Sequence, residues 1–149
     1  MTDARVDSLG STADGRLVIP ATVNGRQVSL LARPWHTLLD TLRDQEGLYG
    51  VREGCGVGMC GACTVILDGE PVSSCLVLAP AVAGREIRTV EGMAAPTGEL
   101  SDIQQVFIDH TAFQCSYCTS GFLLTAARLA EEEPDATRDE IRHYLAGNL

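Results

Sequence analysis

Four unequally spaced cysteines constrain this chain more than any other feature of its sequence. They follow the pattern C-x4-C-x2-C-x11-C, as Cys55, Cys60, Cys63 and Cys75. Between the third and the fourth lies Asp68-Gly69, a dipeptide typical of two-residue hairpin turns. If this dipeptide forms the turn, strand pairing places Cys63 opposite Ser74, and Cys75 then lies one step away on the adjacent strand, about 5 Å distant. The hairpin therefore folds the fourth thiol back to the loop that carries the other three.

The spacing of this first cysteine motif favours an iron–sulfur cluster over other metal sites. Its first two gaps and its distant fourth cysteine match the plant-type pattern for [2Fe–2S] clusters, C-x4-C-x2-C…C. Gly56, Gly58 and Gly61 have no side chains, so backbone N–H groups can approach the sulfur atoms and the loop can adopt positive φ angles. A four-cysteine zinc site is an alternative, although such sites usually contain two C-x2-C pairs and this loop has one. A disulfide between Cys63 and Cys75 is a second alternative.

A second cysteine pair, Cys115 and Cys118, lies in the segment QCSYCTSGF, and no cysteine follows it in the sequence. By itself the C-x-x-C pair fits a redox dithiol, a disulfide or half of a metal site. A thioredoxin-like dithiol normally follows a strand in a βαβ unit, whereas this pair lies between two predicted helices. The position of the pair therefore disfavours the dithiol and leaves the other two alternatives open.

The composition disfavours several classes of function. The chain has 149 residues and a net charge of −9, which disfavours nucleic acid as a partner because phosphate contacts require Lys and Arg. No apolar stretch approaches the roughly 20 residues of a membrane span. The N-terminal segment has no basic region followed by an apolar one, so we expect a cytoplasmic protein. In that compartment the six cysteines are more often metal ligands or reactive thiols than disulfides.

Hydrophobic and turn patterns predict an α+β fold in two parts. The boundaries are a polar, disordered tail at 1–14, a sheet-containing domain at 15–93, a linker at 94–98 and a helical domain at 99–149. In the first part, Asn24-Gly25 predicts another two-residue hairpin turn, and Gly47 is expected to end the first helix. In the second part, Ser101 and Thr137 each begin a capping-box pattern, which predicts the start of a helix.

The two cysteine motifs, in this order, resemble those of one known family. The segment EGCGVGMCGACTVILDGEPVSSC is similar to the iron–sulfur subunit or domain of the xanthine dehydrogenase (molybdenum hydroxylase) family. The segments QCSYCTSGF and IRHYLAGNL match the second half of the same family, so the resemblance covers about residues 16–149. It implies a β-grasp, plant-ferredoxin-like domain that holds one [2Fe–2S] cluster on the first four cysteines. It also implies a small all-α helical bundle that holds a second [2Fe–2S] cluster through Cys115 and Cys118.

The resemblance implies electron transfer rather than substrate chemistry on this chain. Family members of this length are small subunits that bind a large molybdopterin subunit, with the pterin expected in its cytosine dinucleotide form, and usually a medium FAD subunit. We expect a dimer of such heterotrimers, in which the small subunit passes single electrons from molybdenum through both clusters to FAD or another acceptor. By the same resemblance Gln114 would hydrogen-bond the pterin. The alternatives are a freestanding [2Fe–2S] ferredoxin and a zinc-stabilised interaction module.

The sequence departs from the family pattern in two respects. Ser116 and Ser120 stand where the family often has Gly and Pro, and a serine near the sulfurs could donate a hydrogen bond to them. In the family a C-x-C pair follows GNL and supplies the last two ligands of the second cluster, so we expect a segment beyond Leu149 to complete that site. The alternatives are a protein without the second cluster, in which both cysteines remain thiols, and a site that takes its other ligands from elsewhere. The aromatic residues that flank the second pair are expected to fill the core of the helical bundle, and the alternative is that they shield a cluster from water; they are Phe113, Tyr117 and Phe122.

Overall fold

The computed structural model describes residues 9–148 and has the predicted α+β architecture. Within these residues the strands are β1 (Gly10–Ser11), β2 (Leu17–Val23), β3 (Arg26–Ala32), β4 (Thr64–Leu67), β5 (Glu70–Ser73) and β6 (Glu86–Arg88). The helices are α1 (Leu38–Asp44), α2 (Asp102–Asp109), α3 (Thr119–Glu132) and α4 (Arg138–Tyr144). The first eight residues of the predicted disordered tail lie outside the described residues. Gly10 and Ser11 pair with β2, so the tail prediction is wrong for these two residues.

A mixed sheet forms the first part of the molecule. Strand β2 pairs antiparallel with β3 and parallel with β6, and β4 pairs antiparallel with both β6 and β5. The resulting order β3-β2-β6-β4-β5, with α1 between the first and second hairpins in the chain, is the predicted β-grasp arrangement. Both predicted hairpin turns are confirmed. The φ angles are 50° and 75° at Asn24-Gly25 and 50° and 91° at Asp68-Gly69, the positive values that a type I′ turn requires.

Helix α1 and the sheet share one hydrophobic core. Its fully buried residues include Ile19, Leu30, Leu38, Leu42 and Ile87. A capping box begins the helix, because Thr37 Oγ1 accepts a hydrogen bond from the Asp40 amide and Asp40 accepts one from the Thr37 amide, both at 3.1 Å. The helix ends at Asp44 and its C-cap is Gln45, so the predicted C-cap at Gly47 lies two residues too late; Gly47, with a φ angle of 67°, instead turns the chain after the helix.

The second part is helical, and α3 joins it to the sheet. The predicted capping boxes at Ser101 and Thr137 are confirmed at the first residues of α2 and α4. Helix α3 packs against β4 and β5, and its Leu123 and Leu124 are buried. The helical part therefore lies directly on the hairpin between the third and fourth cysteines of the first motif. Among residues 9–148, no helix is both long enough and apolar enough to cross a membrane.

Candidate metal centres

The first three cysteines of the motif lie on residues 52–63, a segment that we call the first-cluster loop. Its glycines have the positive φ angles expected from the sequence: 66° at Gly56, 76° at Gly58 and 69° at Gly61. The loop leaves no room for a side chain at Gly54, where an added Cβ would lie 2.7 Å from the Cys60 sulfur. The backbone is therefore wound closely around the cysteine sulfurs.

The β4–β5 hairpin brings the fourth cysteine to this loop, as predicted. Ser74 lies opposite Cys63, because its amide and its hydroxyl both donate to the Cys63 carbonyl oxygen, at 3.3 and 2.7 Å. Strand β5 ends at Ser73 and Cys75 lies in a short 3-10 helix, Ser74–Leu76, so its predicted place on the strand itself is wrong. Its thiol nevertheless lies within hydrogen-bonding reach of the Cys63 thiol, as predicted. Both cysteines are buried.

Cys55 is exposed and is surrounded by backbone donors. Its sulfur accepts hydrogen bonds from the amide of Val57 at 3.5 Å and from the amide of Met59 at 3.3 Å. These two donors, together with the Cys60 amide, stabilise the thiolate and lower the pKa of Cys55 from 9.0 to about 6. At neutral pH the thiolate therefore predominates, and the thiolate is the form that binds metals.

The pKa of the Cys75 thiol is shifted in the opposite direction. Burial, followed by the contact with the Cys63 thiol, raises the pKa of Cys75 from 9.0 to about 11. In a metal-free loop this thiol would stay protonated at neutral pH. A bound metal reverses that preference because its positive charge deprotonates a coordinating thiol. Metal binding at this site would therefore release a proton from Cys75.

The four thiols form two pairs, and this arrangement fits a binuclear cluster. Cys55 contacts Cys60, and Cys63 contacts Cys75. A [2Fe–2S] cluster has two irons for four cysteines, so two pairs suit it better than they suit zinc, which needs four ligands around one ion. All six cysteines are free thiols, so no disulfide joins Cys63 to Cys75.

The second cysteine pair lies between α2 and α3. Cys115 is exposed, and Cys118 is partly buried immediately before α3. Both line an open pocket of about 420 Å³, together with Gln114, Ser116 and residues 111–113. The pocket offers two thiols, because the other four cysteines of the chain belong to the first motif. The structure thus places Gln114 and the C-x-x-C pair together, at a surface that a partner can reach.

The two serines of this segment lie in different environments. Ser116 has a φ angle of 62°, a left-handed conformation that glycine adopts at lower cost, which accounts for the glycine common in the family pattern. Ser120 is buried in the first turn of α3, and its hydroxyl has no hydrogen-bond partner in the described part of the chain. A hydrogen bond from either serine to a cluster sulfur stays a prediction.

The sequence predicts that the three aromatic residues beside the second pair fill a core, but two of them do not. Phe113 is 38% exposed and Tyr117 is 45% exposed, so the prediction is wrong for these two. The Tyr117 hydroxyl donates to the backbone carbonyl of Glu53, at the start of the first-cluster loop. The Arg52 guanidinium lies over the same ring, 5.4 Å from its centroid. Tyr117 therefore connects the second cysteine pair to the first-cluster loop.

A second connection involves Asn148, which the sequence analysis did not single out. Its Nδ2 donates to the carbonyl oxygen of Gly61 in the first-cluster loop at 3.1 Å. Its Oδ1 lies 3.1 Å from the hydroxyl of Thr125 in α3. The GNL segment carried the only signal for this residue, since one polar residue after a helix has no periodicity from which burial could be predicted.

Comparisons with known protein families agree with this geometry. Residues 21–93 match the family described as "2Fe-2S iron-sulfur cluster binding domain", and residues 89–149 match the "[2Fe-2S] binding domain" family. The first match contains all four cysteines of the first motif, and the second contains Cys115 and Cys118.

Relatives and solved structures cover nearly the whole chain. The nicotine 6-hydroxylase small subunit of Paenarthrobacter nicotinovorans is 45% identical over 134 residues, which is 90% of this chain and 80% of the relative. The xanthine dehydrogenase iron-sulfur-binding subunit of Escherichia coli O157:H7 is 47% identical over 135 residues, which is 89% of this chain and 84% of the relative. A chain in the crystal structure of quinoline 2-oxidoreductase from Pseudomonas putida 86 has a TM-score of 0.88 and 41% identity, with 91% of this chain and 83% of that chain covered. The chain belongs to the family of [2Fe–2S] iron–sulfur small subunits of xanthine dehydrogenase-type molybdenum hydroxylases.

Proposed function

We propose that this chain is the electron-transfer subunit of a molybdenum hydroxylase complex. It relays single electrons from the molybdopterin centre of a large subunit, through two [2Fe–2S] clusters, to FAD or another acceptor. The observation that carries the proposal is the arrangement of the first four cysteines as two thiol pairs, on a chain that also presents an exposed C-x-x-C. The relatives that span nine-tenths of the chain are named as subunits of enzymes, which supports this function over a freestanding ferredoxin.

The first-cluster loop supports this function by holding thiolates beside backbone donors. When bound, a [2Fe–2S] cluster supplies a carrier for one electron at a time. We assign Cys55 and Cys60 to one iron and Cys63 and Cys75 to the other, because these are the pairs in contact. The amides that donate to the Cys55 sulfur stabilise negative charge on it, and hydrogen bonds to sulfur are one of the protein's means of setting the reduction potential.

The second cysteine pair is assigned to the second cluster. Cys115 and Cys118 supply two of its ligands, and Gln114 hydrogen-bonds the pterin of the large subunit, which is of the cytosine dinucleotide form. Support comes from the exposed position of Gln114 and Cys115 in one open pocket, where a partner can reach both. Electrons would enter at this pocket and pass to the first-cluster loop. Substrate chemistry belongs to the large subunit.

The assembly includes further subunits. We assign a medium FAD subunit as the acceptor and a dimer of heterotrimers as the complete complex, on the basis of the family resemblance. We also propose a cytoplasmic location, a compartment in which cysteines serve more often as metal ligands than as disulfides.

The relay is tested by reducing the purified complex of this chain with its large subunit under anaerobic conditions. The reductant is a compound that the complex oxidises, chosen from a panel of nicotine, xanthine and quinoline analogues and aldehydes, and dithionite serves as the positive control. We expect the EPR signals of reduced [2Fe–2S] clusters with that compound as the sole reductant. A Cys75→Ala variant should lose the signal of the first cluster. The relay would be contradicted if dithionite reduced the clusters but the compound that the complex oxidises did not.

A further inference from the structure

The helical part of the chain contacts the first-cluster loop near both ends of its cysteine-bearing segment. One contact reaches Glu53, two residues before Cys55, and the other reaches Gly61, directly after Cys60. These two contacts lie outside the core of the sheet, and they do not join cysteines to each other. Folding of the loop and metal binding therefore do not explain them by themselves.

The contact at Gly61 is buried and made of several hydrogen bonds. Asn148 is 9% exposed and donates from Nδ2 to the Gly61 carbonyl oxygen at 3.1 Å. The Thr125 hydroxyl lies 3.1 Å from Asn148 Oδ1 and 2.9 Å from the carbonyl oxygen of Gly121, so it can share its proton between them. Thr64 also donates to the Gly61 carbonyl oxygen, from its amide at 3.1 Å and from its hydroxyl at 2.7 Å. The position of this carbonyl is therefore set from both parts of the chain.

The two backbones meet here without intervening side chains. A Cβ added at Gly121 would lie 2.1 Å from the Gly61 carbonyl oxygen, and one added at Gly61 would lie 2.4 Å from Asn148 Nδ2. Both distances are far shorter than any contact that a real Cβ makes. The first turn of α3 thus rests directly on the first-cluster loop.

The contact at Glu53 is made by the residue between the two cysteines of the second pair. Tyr117 donates its hydroxyl proton to the Glu53 carbonyl oxygen, and the Arg52 guanidinium lies over its ring. The Tyr117 side chain is 45% exposed, so burial of its ring is not its main contribution to this contact. Tyr117 provides a short connection between the Cys115–Cys118 turn and the loop that carries Cys55.

We propose that Tyr117 and Asn148 are positioning residues that hold the first-cluster loop at a fixed separation from the Cys115–Cys118 turn. This rests on the proposed function, in which one electron leaves the second cluster and reduces the first. The rate of such a transfer falls steeply with the distance between the two centres. Two hydrogen bonds near opposite ends of the cysteine-bearing segment prevent it from moving away from the helical part, and so keep that distance short.

The test uses Tyr117→Phe and Asn148→Asp in the iron-loaded complex, with Tyr144→Phe as the matched control. Tyr117→Phe keeps the ring over Arg52 and removes the hydroxyl. Asn148→Asp keeps the acceptor for Thr125 and replaces the donor to Gly61 with an oxygen. Tyr144→Phe also removes a hydroxyl, but one that donates to Glu132 of α3 at 3.2 Å and not to the first-cluster loop.

Two measurements separate positioning from general stability. Hydrogen exchange of the amides in residues 53–61 should become about fivefold faster in Tyr117→Phe, the factor expected from loss of one ordinary hydrogen bond, and at least as fast in Asn148→Asp. Rapid-freeze EPR should show slower arrival of electrons at the first cluster in the double variant than in the wild type. Tyr144→Phe should match the wild type in both measurements, and the thermal midpoint of the sheet domain should be nearly unchanged in Tyr117→Phe.

Unchanged exchange in residues 53–61 in both variants would overturn the proposal, as would faster exchange with unchanged electron arrival in the double variant. Failure of the proposed function has a different signature. In that case the compound that the complex oxidises would not reduce the wild-type clusters at all. The hydrogen-exchange measurement would still decide whether Tyr117 and Asn148 hold the loop.

Discussion

Gly121→Ala tests the direct contact between α3 and the first-cluster loop. The added Cβ would lie 2.1 Å from the Gly61 carbonyl oxygen, 2.9 Å from Asn148 Nδ2 and 3.1 Å from the Gly61 carbonyl carbon. Two of these three atoms are backbone atoms, so the overlap is relieved only if α3 and the loop separate. Overpacking of this kind costs about 1–3 kcal/mol. Alanine also favours the helix over glycine by up to about 1 kcal/mol, an opposing effect that is smaller than the overlap.

We therefore expect Gly121→Ala to lower the free energy of unfolding by up to about 2 kcal/mol, which is the overpacking cost less about 1 kcal/mol of helix propensity. Urea unfolding of the iron-loaded chain, followed by circular dichroism and by the visible absorbance of the cluster, measures it. Gly147→Ala is the matched control, because a Cβ there has no neighbour within 4 Å and the position shows no positive φ angle. That variant should be neutral or stabilised by up to about 1 kcal/mol. If Gly121→Ala proves as stable as Gly147→Ala, the direct backbone contact is not present in solution.

Three further predictions concern single positions in the two cysteine motifs. Ser116→Gly should raise the free energy of unfolding by about 0.5–1 kcal/mol, because it removes the cost of a left-handed serine; a higher urea midpoint with an unchanged slope would confirm this. In the iron-free chain, alkylation of Cys55 by iodoacetamide should rise with pH to a plateau, with a midpoint near 6, because the thiolate reacts and predominates above the lowered pKa; a midpoint near 9 would contradict the role of the backbone donors. Gly61→Ala should reduce the iron bound per chain, since its Cβ would lie 2.4 Å from Asn148 Nδ2 and 2.9 Å from the Asn148 backbone Cα at a φ angle of 69°. Gly98→Ala, with a φ angle of 86° and no neighbour within 4 Å, should retain its iron.

Short-range sequence signals predicted the geometry of the first site because that site is local. The Asp68-Gly69 turn sets the strand register, which pairs Thr64 with Ser73 and so returns the chain to Cys63; the 3-10 helix that follows places Cys75 beside it. Glycines in the loop likewise indicated positive φ angles before any tertiary contact was known. The same reasoning predicted the capping boxes at Ser101 and Thr137, since a capping box involves residues only three positions apart.

The contacts between the two parts could not be predicted in this way. Asn148 and Gly61 are separated by 87 positions, and Tyr117 and Glu53 by 64, so no local pattern relates them. Tyr117 was expected to be a core residue because aromatic side chains between helices are usually buried, yet its hydroxyl finds its acceptor on the sheet domain. The C-terminal end of α1 was also predicted wrongly, because a glycine that follows a helix does not show how many residues separate it from the last helical residue.

Iron and sulfide analysis of a variant with Cys115→Ala and Cys118→Ala tests most directly whether the first four cysteines hold an electron-carrying cluster. The variant isolates the first motif, and EPR after dithionite reduction completes the measurement. We predict about two iron atoms and two acid-labile sulfides per chain, as one [2Fe–2S] cluster requires, with a single EPR signal from the reduced form. Zinc without sulfide, or iron without an EPR signal on reduction, would contradict an electron-carrying cluster on Cys55, Cys60, Cys63 and Cys75.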